Sequence, residues 1–568
     1  MRAEKKNCQN CKEDFTIDPE DFGFYEKMKV PPPTFCPDCR AQRRYIWRNE
    51  RTMYKRKCDK CGASFIALYP EDSPYTIYCK DCWYGDGWDP MSYGAEYDSG
   101  RNFFEQFKEL QQKVPRLGIW TVQCHNSPYT NQSYSNKNCY LCFAIRDSED
   151  CTNISYAVKM KKSIDGEYVH YSENLYECFN VEKSYNSRYA EESEAAIDCA
   201  FVSDCRNIQN SCGVVNQRGS SDIFFGEKLS KDEFKKRMSA LDLGDRKTVD
   251  ELSQKFEKMK KEAPHKYAKL INCRNSTGDH LENARNCKAV FDGYDLENAR
   301  YSVWVFSSKE IHDAYGMGSS EFIYESIGPE EVSNIKFSSV VDGSNNLEYC
   351  EMCKSSAFLF GCEGLQSKKY CILNKQYSKE DYESLKESIV MDMSKNPYVD
   401  GKGRVFSYGE FFPYDLAPYA YNETIAQRFY PLDHEKAKEA GLHWKEQGER
   451  NYSITMKNED IPSNIKDVGD AILNEVIECA HAGKCAHGCT SAFKITQAEL
   501  GFYRGNAIPL PAMCPNCRCY SRLEKKNPLK LFHRKCMREG CLNEFETTYP
   551  PENPETIYCE ECYNKEVY

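Results

Sequence analysis

Two stretches of the chain share one texture. From Cys124 to Cys212, short runs rich in β-branched, aromatic and cysteine residues alternate with Asn, Ser, Asp and Gly: NCYLCFA, CTNISYAV, IDGEYV, LYECFNV, AIDCAFV and IQNSCGVV. A second set runs NCKAVF, ARYSVWVF, FIYESIG, NIKFSSVV, LEYCEMC, AFLFGC and KYCILN. The runs recur about every 10 to 13 residues, and such imperfect repeats predict a stacked-β solenoid of the parallel β-helix kind, with two strands per turn of roughly 22 residues. Each set ends alike, in LSKDEF at Leu229–Phe234 and YSKEDY at Tyr377–Tyr382. Ser230 and Ser378 read as helix N-caps, with Glu233 and Asp381 three residues on. The middle is therefore expected to be duplicated, with a helical insert between its halves. Ahead of it, Phe103, Phe104, Phe107 and Leu110 fall at helical spacing and Pro115 ends the run, which predicts a core-facing helix.

Cysteine changes the picture at both ends. The chain has 568 residues and 32 cysteines. Cys8-x2-Cys11 and Cys36-Pro-Asp-Cys39 are separated by 24 residues, and Cys58-x2-Cys61 and Cys79-x2-Cys82 by 17. Near the C-terminus, Cys485-x3-Cys489 and Cys514-Pro-Asn-Cys517 again stand 24 apart, and Cys536-x4-Cys541 and Cys559-x2-Cys562 again 17. Eighteen residues separate Cys39 from Cys58 and Cys517 from Cys536. Paired thiolates at this spacing can wrap one ion, and two pairs complete a closed tetrahedral site. Four all-cysteine sites predict about four structural Zn2+ per chain. Metal-free thiols and an iron–sulfur cluster are the lesser alternatives. Cys479 and Cys519 lie near enough to the third set to leave its ligand choice open.

The flanking residues match as well: Gly23-Phe24-Tyr25 with Gly501-Phe502-Tyr503, and Thr76-Ile77-Tyr78-Cys79 with Thr556-Ile557-Tyr558-Cys559. The segment NCQNCKEDFTIDPEDFGFYEKMKVPPPTFCPDCRAQRR resembles the zinc-ribbon, treble-clef-related domain of bacterial proteins, and KCAHGCTSAFKITQAELGFYRGNAIPLPAMCPNCR is a variant of it. YTIYCKDCWYGDGWDPMSYGAEYDSGRNFFEQFKEL and ETIYCEECYN resemble parts of large multi-zinc proteins of uncultivated bacteria. The resemblance implies zinc ligation and names no biochemical role. The expected fold class is multidomain and mainly β with α. Zinc modules span 1–50 and 51–97. A first solenoid half with its leading helix covers 98–228, a helical insert 229–270, and a second half with a trailing helix 271–400. A mixed helical connector follows over 401–478, then zinc modules over 479–527 and 528–568.

Charge suggests where a partner would sit. The net charge is −11, yet 40–57 carries eight basic residues against one acid and 518–535 seven against one. Those stretches hold +7 and +6, leaving about −24 elsewhere. If the second knuckle opens a helix, Arg40, Arg44, Arg48 and Arg51 form one face beside Trp47, and Arg518 and Arg522 begin its copy. Arginine stripes beside aromatics suit a nucleic acid or ribonucleoprotein. They also suit an acidic protein partner, or the acidic middle of the same chain. No apolar run is long enough for a membrane span, and no apolar core follows MRAEKKNCQN, so a cytoplasmic protein with reduced thiols is expected.

Catalytic motifs are missing: no glycine-rich phosphate loop, no His-Glu-x-x-His, no Gly-x-Ser-x-Gly. The leading expectation is a non-enzymatic binding protein whose basic zinc-module helices contact nucleic acid. A protein-assembly scaffold is the alternative. A third is a carbohydrate-active β-helix enzyme using edge acids such as Asp165, Asp198, Asp204, Asp292 and Asp342. Cys139-x2-Cys142 and Cys350-x2-Cys353 read as stacked inward cysteines, because residues three apart on a flat strand face opposite ways and could not share an ion.

Overall fold

A computed structural model describes residues 2–446, 448 and 452–568. Positions 447 and 449–451 of the expected connector lie outside the described residues. The chain is mostly β with helices, and two large parallel sheets dominate it, one of ten strands and one of nine. The first runs from Thr121–Val122 to Glu227–Lys228 and the second from Leu270–Ile271 to Lys375–Gln376.

In both sheets a residue pairs with the one twelve positions on, as in Thr152↔Ile164 and Ser333↔Asn345. The repeat is a coil of twelve residues, and the expected turn of roughly 22 with two strands is corrected. The reason lies in the backbone. Every third residue from Gln123 to Phe225, and again from His280 to Leu373, adopts the left-handed conformation. Each coil thus has four short sides of three residues meeting at left-handed corners. Such a corner costs an ordinary L-residue about 1 kcal/mol, and Asn and Asp tolerate it best. Corner amides repeat with the coil and join it to the next: Asn126 Nδ2 donates to Asn138 (2.9 Å), and Asn174 to Asn186 (2.8 Å). Corner aromatics stack in the same register, as Tyr156 on Tyr168 (4.8 Å) and Phe337 on Tyr349 (4.7 Å).

A corner at every third residue also sends every third side chain inward. Cys139, Cys142, Ile145, Ser148, Cys151, Ile154, Ala157 and Met160 are all buried in one column system. Cys139 and Cys142 therefore both point inward, and so do Cys350 and Cys353. Inward cysteine is what the structure shows. The flat-strand argument for it fails, because a corner stands between the two positions. Interior polar atoms are satisfied by the repeat itself: Ser148 Oγ accepts from the Met160 N–H (3.1 Å) and donates to the Arg146 carbonyl (3.0 Å).

Both stacks end in a tight antiparallel hairpin, Ile223↔Lys228 and Ile372↔Lys375. Helices Lys231–Ser239 and Lys379–Lys395 follow, N-capped by Ser230 and Ser378 accepting from Glu233 and Asp381 N–H. The helix Phe103–Lys113 buries Phe103, Phe104, Phe107 and Leu110. Phe103 packs on Tyr349 and Phe360 of the second stack, although the helix leads into the first. The stacks also meet directly, Tyr315 Oη donating to Tyr156 Oη (3.0 Å). Among the described residues no helix is long and apolar enough to cross a membrane.

Candidate metal centres and the arginine clamps that seat them

Each cysteine-rich segment builds the same local unit. A short antiparallel hairpin (Glu4–Asn7 with Asp14–Ile17 in the first) leads the chain through the leading cysteines. The trailing pair then opens a helix: Cys36, Cys79, Cys514 and Cys559 are the N-caps of Pro37–Tyr45, Lys80–Tyr84, Pro515–Leu523 and Glu560–Val567. Three sulfur clusters are the expected ones: Cys8, Cys11, Cys36, Cys39; Cys58, Cys61, Cys79, Cys82; and Cys536, Cys541, Cys559, Cys562. Sulfur separations are 3.7 Å for Cys11–Cys36, 3.9 Å for Cys61–Cys79 and 3.9 Å for Cys541–Cys559. Four thiolates about 2.3 Å from a shared tetrahedral ion stand roughly 3.8 Å apart, and a disulfide would need about 2.05 Å. The donors therefore fit a metal. The N–H groups of Cys36, Cys79 and Cys559 donate to the sulfurs of Cys8, Cys58 and Cys536 at 3.2, 3.3 and 3.3 Å. Such bonds support thiolate charge.

The third cluster departs from the expected set. Cys489, Cys514 and Cys517 converge, and the fourth sulfur is Cys479, 3.8 Å from Cys517. Cys479 follows its strand as Cys8 follows its own, and accepts the Cys514 N–H (3.2 Å) just as Cys8 accepts that of Cys36. Cys485 lies instead on the intervening loop, 3.6 Å from Cys517, in a separate group with His481 and His487. The equal 24-residue gap drew attention to Cys485. The signal for Cys479 was its place directly after a strand. Cys519 is buried and belongs to no ligand group among the described residues.

The two basic helices do not face solvent. Arg40 and Arg44 are 1% exposed and Arg48 4%. Arg40 and Arg44 reach Asp313 of the second stack (2.9 and 3.2 Å), while Arg43 pairs with Glu325 and Glu410 (2.9 Å each). Arg48 pairs with Glu50 at 2.6 Å. Arg51 donates to Asn153 (2.7 Å) and Ser155 (3.0 Å) of the first stack. Trp47 is buried and stacks on Phe412 at 4.5 Å. In the C-terminal head Arg518, 2% exposed, pairs with Asp165 of the first stack and with Glu499 (3.3 Å). Arg522, 1% exposed, reaches Asp165, Glu167 and Glu177 within 3.5 Å. These seven residues do not form the expected open phosphate-binding stripe: Arg40, Arg44, Arg48, Arg518 and Arg522 meet carboxylates of the same chain, Arg51 meets polar side chains of the first stack, and Trp47 packs on Phe412.

These carboxylates sit at left-handed corners one coil apart, Asp313 above Glu325 and Asp165 above Glu177. Like charges stacked at strand spacing, about 4.8 Å, repel unless a cation bridges them. Burial pushes the Glu325 and Glu177 carboxyls up, and the neighbouring guanidiniums pull them back. Arg40 and Arg518 are shifted down by burial, and Asp313 and Asp165 more than reverse it. The same device recurs where the chain enters each stack. Arg116 bridges Glu351 and Glu363, and Lys269 bridges Glu192 and Asp204.

No family model matches the chain, and no curated protein matches it. Among solved structures, a presumed acetyltransferase from Desulfovibrio desulfuricans G20 is similar at 12% identity, covering 53% of this chain and 79% of that one. Its TM-score is 0.11, and the likeness carries no argument.

The heads are seated crosswise. The first unit docks on the second stack through Arg40 and Arg44, and the third on the first stack through Arg518 and Arg522. The second and fourth units cap the stacks by parallel pairing, Ile77–Tyr78 with Arg116–Leu117 and Ile557–Tyr558 with His265–Lys266. The five edge acids considered for catalysis do not converge. Asp165 binds Arg518, Asp204 Arg218, Asp292 Lys526 and Asp342 Lys354, while Asp198 accepts from Asn186.

Proposed function

We propose that this chain is a non-enzymatic scaffold in which structural zinc staples two pairs of treble-clef-like heads onto a duplicated β-solenoid. One observation carries the reading: the arginines beside the cysteine clusters are buried against carboxylates of the opposite stack. Units of about 30 residues cannot fold on their own cores, so zinc supplies their folding free energy. All-cysteine sites leave no open position for substrate. What remains for partners is the outer face of the stacks, where charges of both signs pair between neighbouring coils, as Lys137 with Glu149 and Lys309 with Glu321, and the class of partner it suits is a protein surface. A nucleic-acid role would need basic residues other than those docked in the clamps. Purified protein is expected to hold zinc, to show no excess absorbance at 260 nm, and to keep one size in low and high salt. Copurifying nucleic acid whose retention is weakened by Arg44→Glu with Arg48→Glu would overturn the reading.

A further inference from the structure

The C-terminal head carries a loop that its N-terminal counterpart lacks. Cys8 and Cys11 are separated by two residues, whereas Cys479 and Cys489 enclose nine. The longer loop contains His481, Cys485 and His487. It folds back so that one donor atom of each lies within 4.8 Å of the others and of Cys517 Sγ. Cys517 is already a member of the four-sulfur cluster. We propose that this head binds two divalent ions, the second held by His481, Cys485, His487 and a bridging Cys517 thiolate.

Four observations support it. Cys485 Sγ is 3.6 Å from Cys517 Sγ on one side, and Cys479 Sγ is 3.8 Å away on the other. Both separations suit a tetrahedral thiolate site, so Cys517 is placed to serve two ions. The Nδ1 atoms of His481 and His487 are buried and have no hydrogen-bond partner among the described residues, an arrangement that otherwise leaves a costly unpaired polar atom. His487 presents its other nitrogen, Nε2, to Glu524 at 2.8 Å. A carboxylate on the far nitrogen is the second-shell partner that orients a ligating imidazole, and Tyr520 stacked on the ring at 5.3 Å fixes its plane. Finally, all four cysteines of the third cluster are buried, while each of the other three clusters has at least one cysteine that is partly or fully exposed. A buried four-thiolate site with one divalent ion keeps a net charge of about −2, expensive away from water. A second ion, arriving with the single added thiolate of Cys485, halves it to about −1.

The inference rests on the metal reading of the cysteine clusters, and one experiment separates their failures. Full-length protein, reconstituted with zinc and freed of loose metal, is weighed under native conditions beside the His481→Ala/His487→Ala variant. Five ions in the wild type and four in the variant are expected, with unchanged circular dichroism. Four ions in both would overturn the second ion while leaving the four-cysteine sites standing. Metal-free protein would overturn both. If the variant does not fold, His487→Gln alone is used with cobalt(II)-loaded protein. The wild-type minus variant spectrum should then show the visible bands of one mixed nitrogen–sulfur tetrahedral ion, and a flat difference would contradict the site.

Discussion

The two heads dock by the same rule and differ in one loop. Both open a helix at the second cysteine pair, bury that helix's arginines (three in the first head, two in the other) and clamp carboxylates stacked one coil apart on the opposite half of the chain. Tyr25 packs on Tyr324 in one head and Tyr503 on Tyr176 in the other, at 5.5 and 5.9 Å. What the heads share is therefore the seating of a metal unit on a β-stack. What they do not share, the loop from 480 to 488, adds ligands and not docking contacts. The comparison separates a structural role common to both ends from a chemical feature confined to one.

Chelation should break the comparison most completely. A structural zinc contributes about 10–16 kcal/mol to the folding of a small module, so removing it should unseat both heads. Near-ultraviolet circular dichroism should lose the signal of buried Trp47 and Trp83 while far-ultraviolet β signal from the stacks largely remains. Next come the clamps. Arg518→Met leaves buried Asp165 with Arg522 at 3.4 Å, and Arg43→Met takes from Glu325 its nearest arginine, with Arg44 at 3.4 Å; each should cost about 3 kcal/mol in denaturant unfolding. Similar losses from the two ends would support one docking rule, and a loss at one end alone would break it.

The seam between the stacks should respond to pH where the arginine clamps do not. Burial lowers His280, but Asp279 and Glu192 outweigh it and hold the imidazole up at about 9, with Asp292 adding to the effect. Lys269 shares the Glu192 partner. A pKa raised above the unfolded value, about 6.5, stabilises the fold fully below that value and is lost as pH rises through about 9. The contribution is on the order of 3 kcal/mol, and a His280→Gln melting series should flatten it. The smallest effect sharpens the likeness of the stacks. Asn186→Ala and Asn286→Ala each remove a corner amide that bridges neighbouring coils. Each should cost about 1 kcal/mol, with equal shifts in thermal unfolding.

The sequence showed the sulfur clusters because metal ligation demands local spacing, and fifteen of the sixteen chosen cysteines lie in a four-sulfur group. It showed the duplicated stacks through their endings, with Ser230 and Ser378 marking the same point in each. The coil length was hidden by the assumption of period-two strands. The signal that would have revealed it was the three-residue spacing of Cys139, Cys142 and Ile145, with Asn126 and Asn138 one coil apart. The basic stripes were legible as helix faces, but their burial was not, since Arg43 finds Glu325 282 residues away. One clue was present. Asp165 and Glu177 precede Ser230 at the same intervals at which Asp313 and Glu325 precede Ser378, so acids of matching place awaited the two arginine helices.

The crosswise clamp is tested most directly by a double-mutant cycle on Arg44 and Asp313, using Arg44→Met, Asp313→Asn and the pair, read by denaturant unfolding of zinc-loaded protein. Coupling of about 2 kcal/mol or more is expected for a buried ion pair. Additive single variants, with coupling near zero, would mean that the N-terminal head is not seated on the second stack and that its arginines are free for another partner.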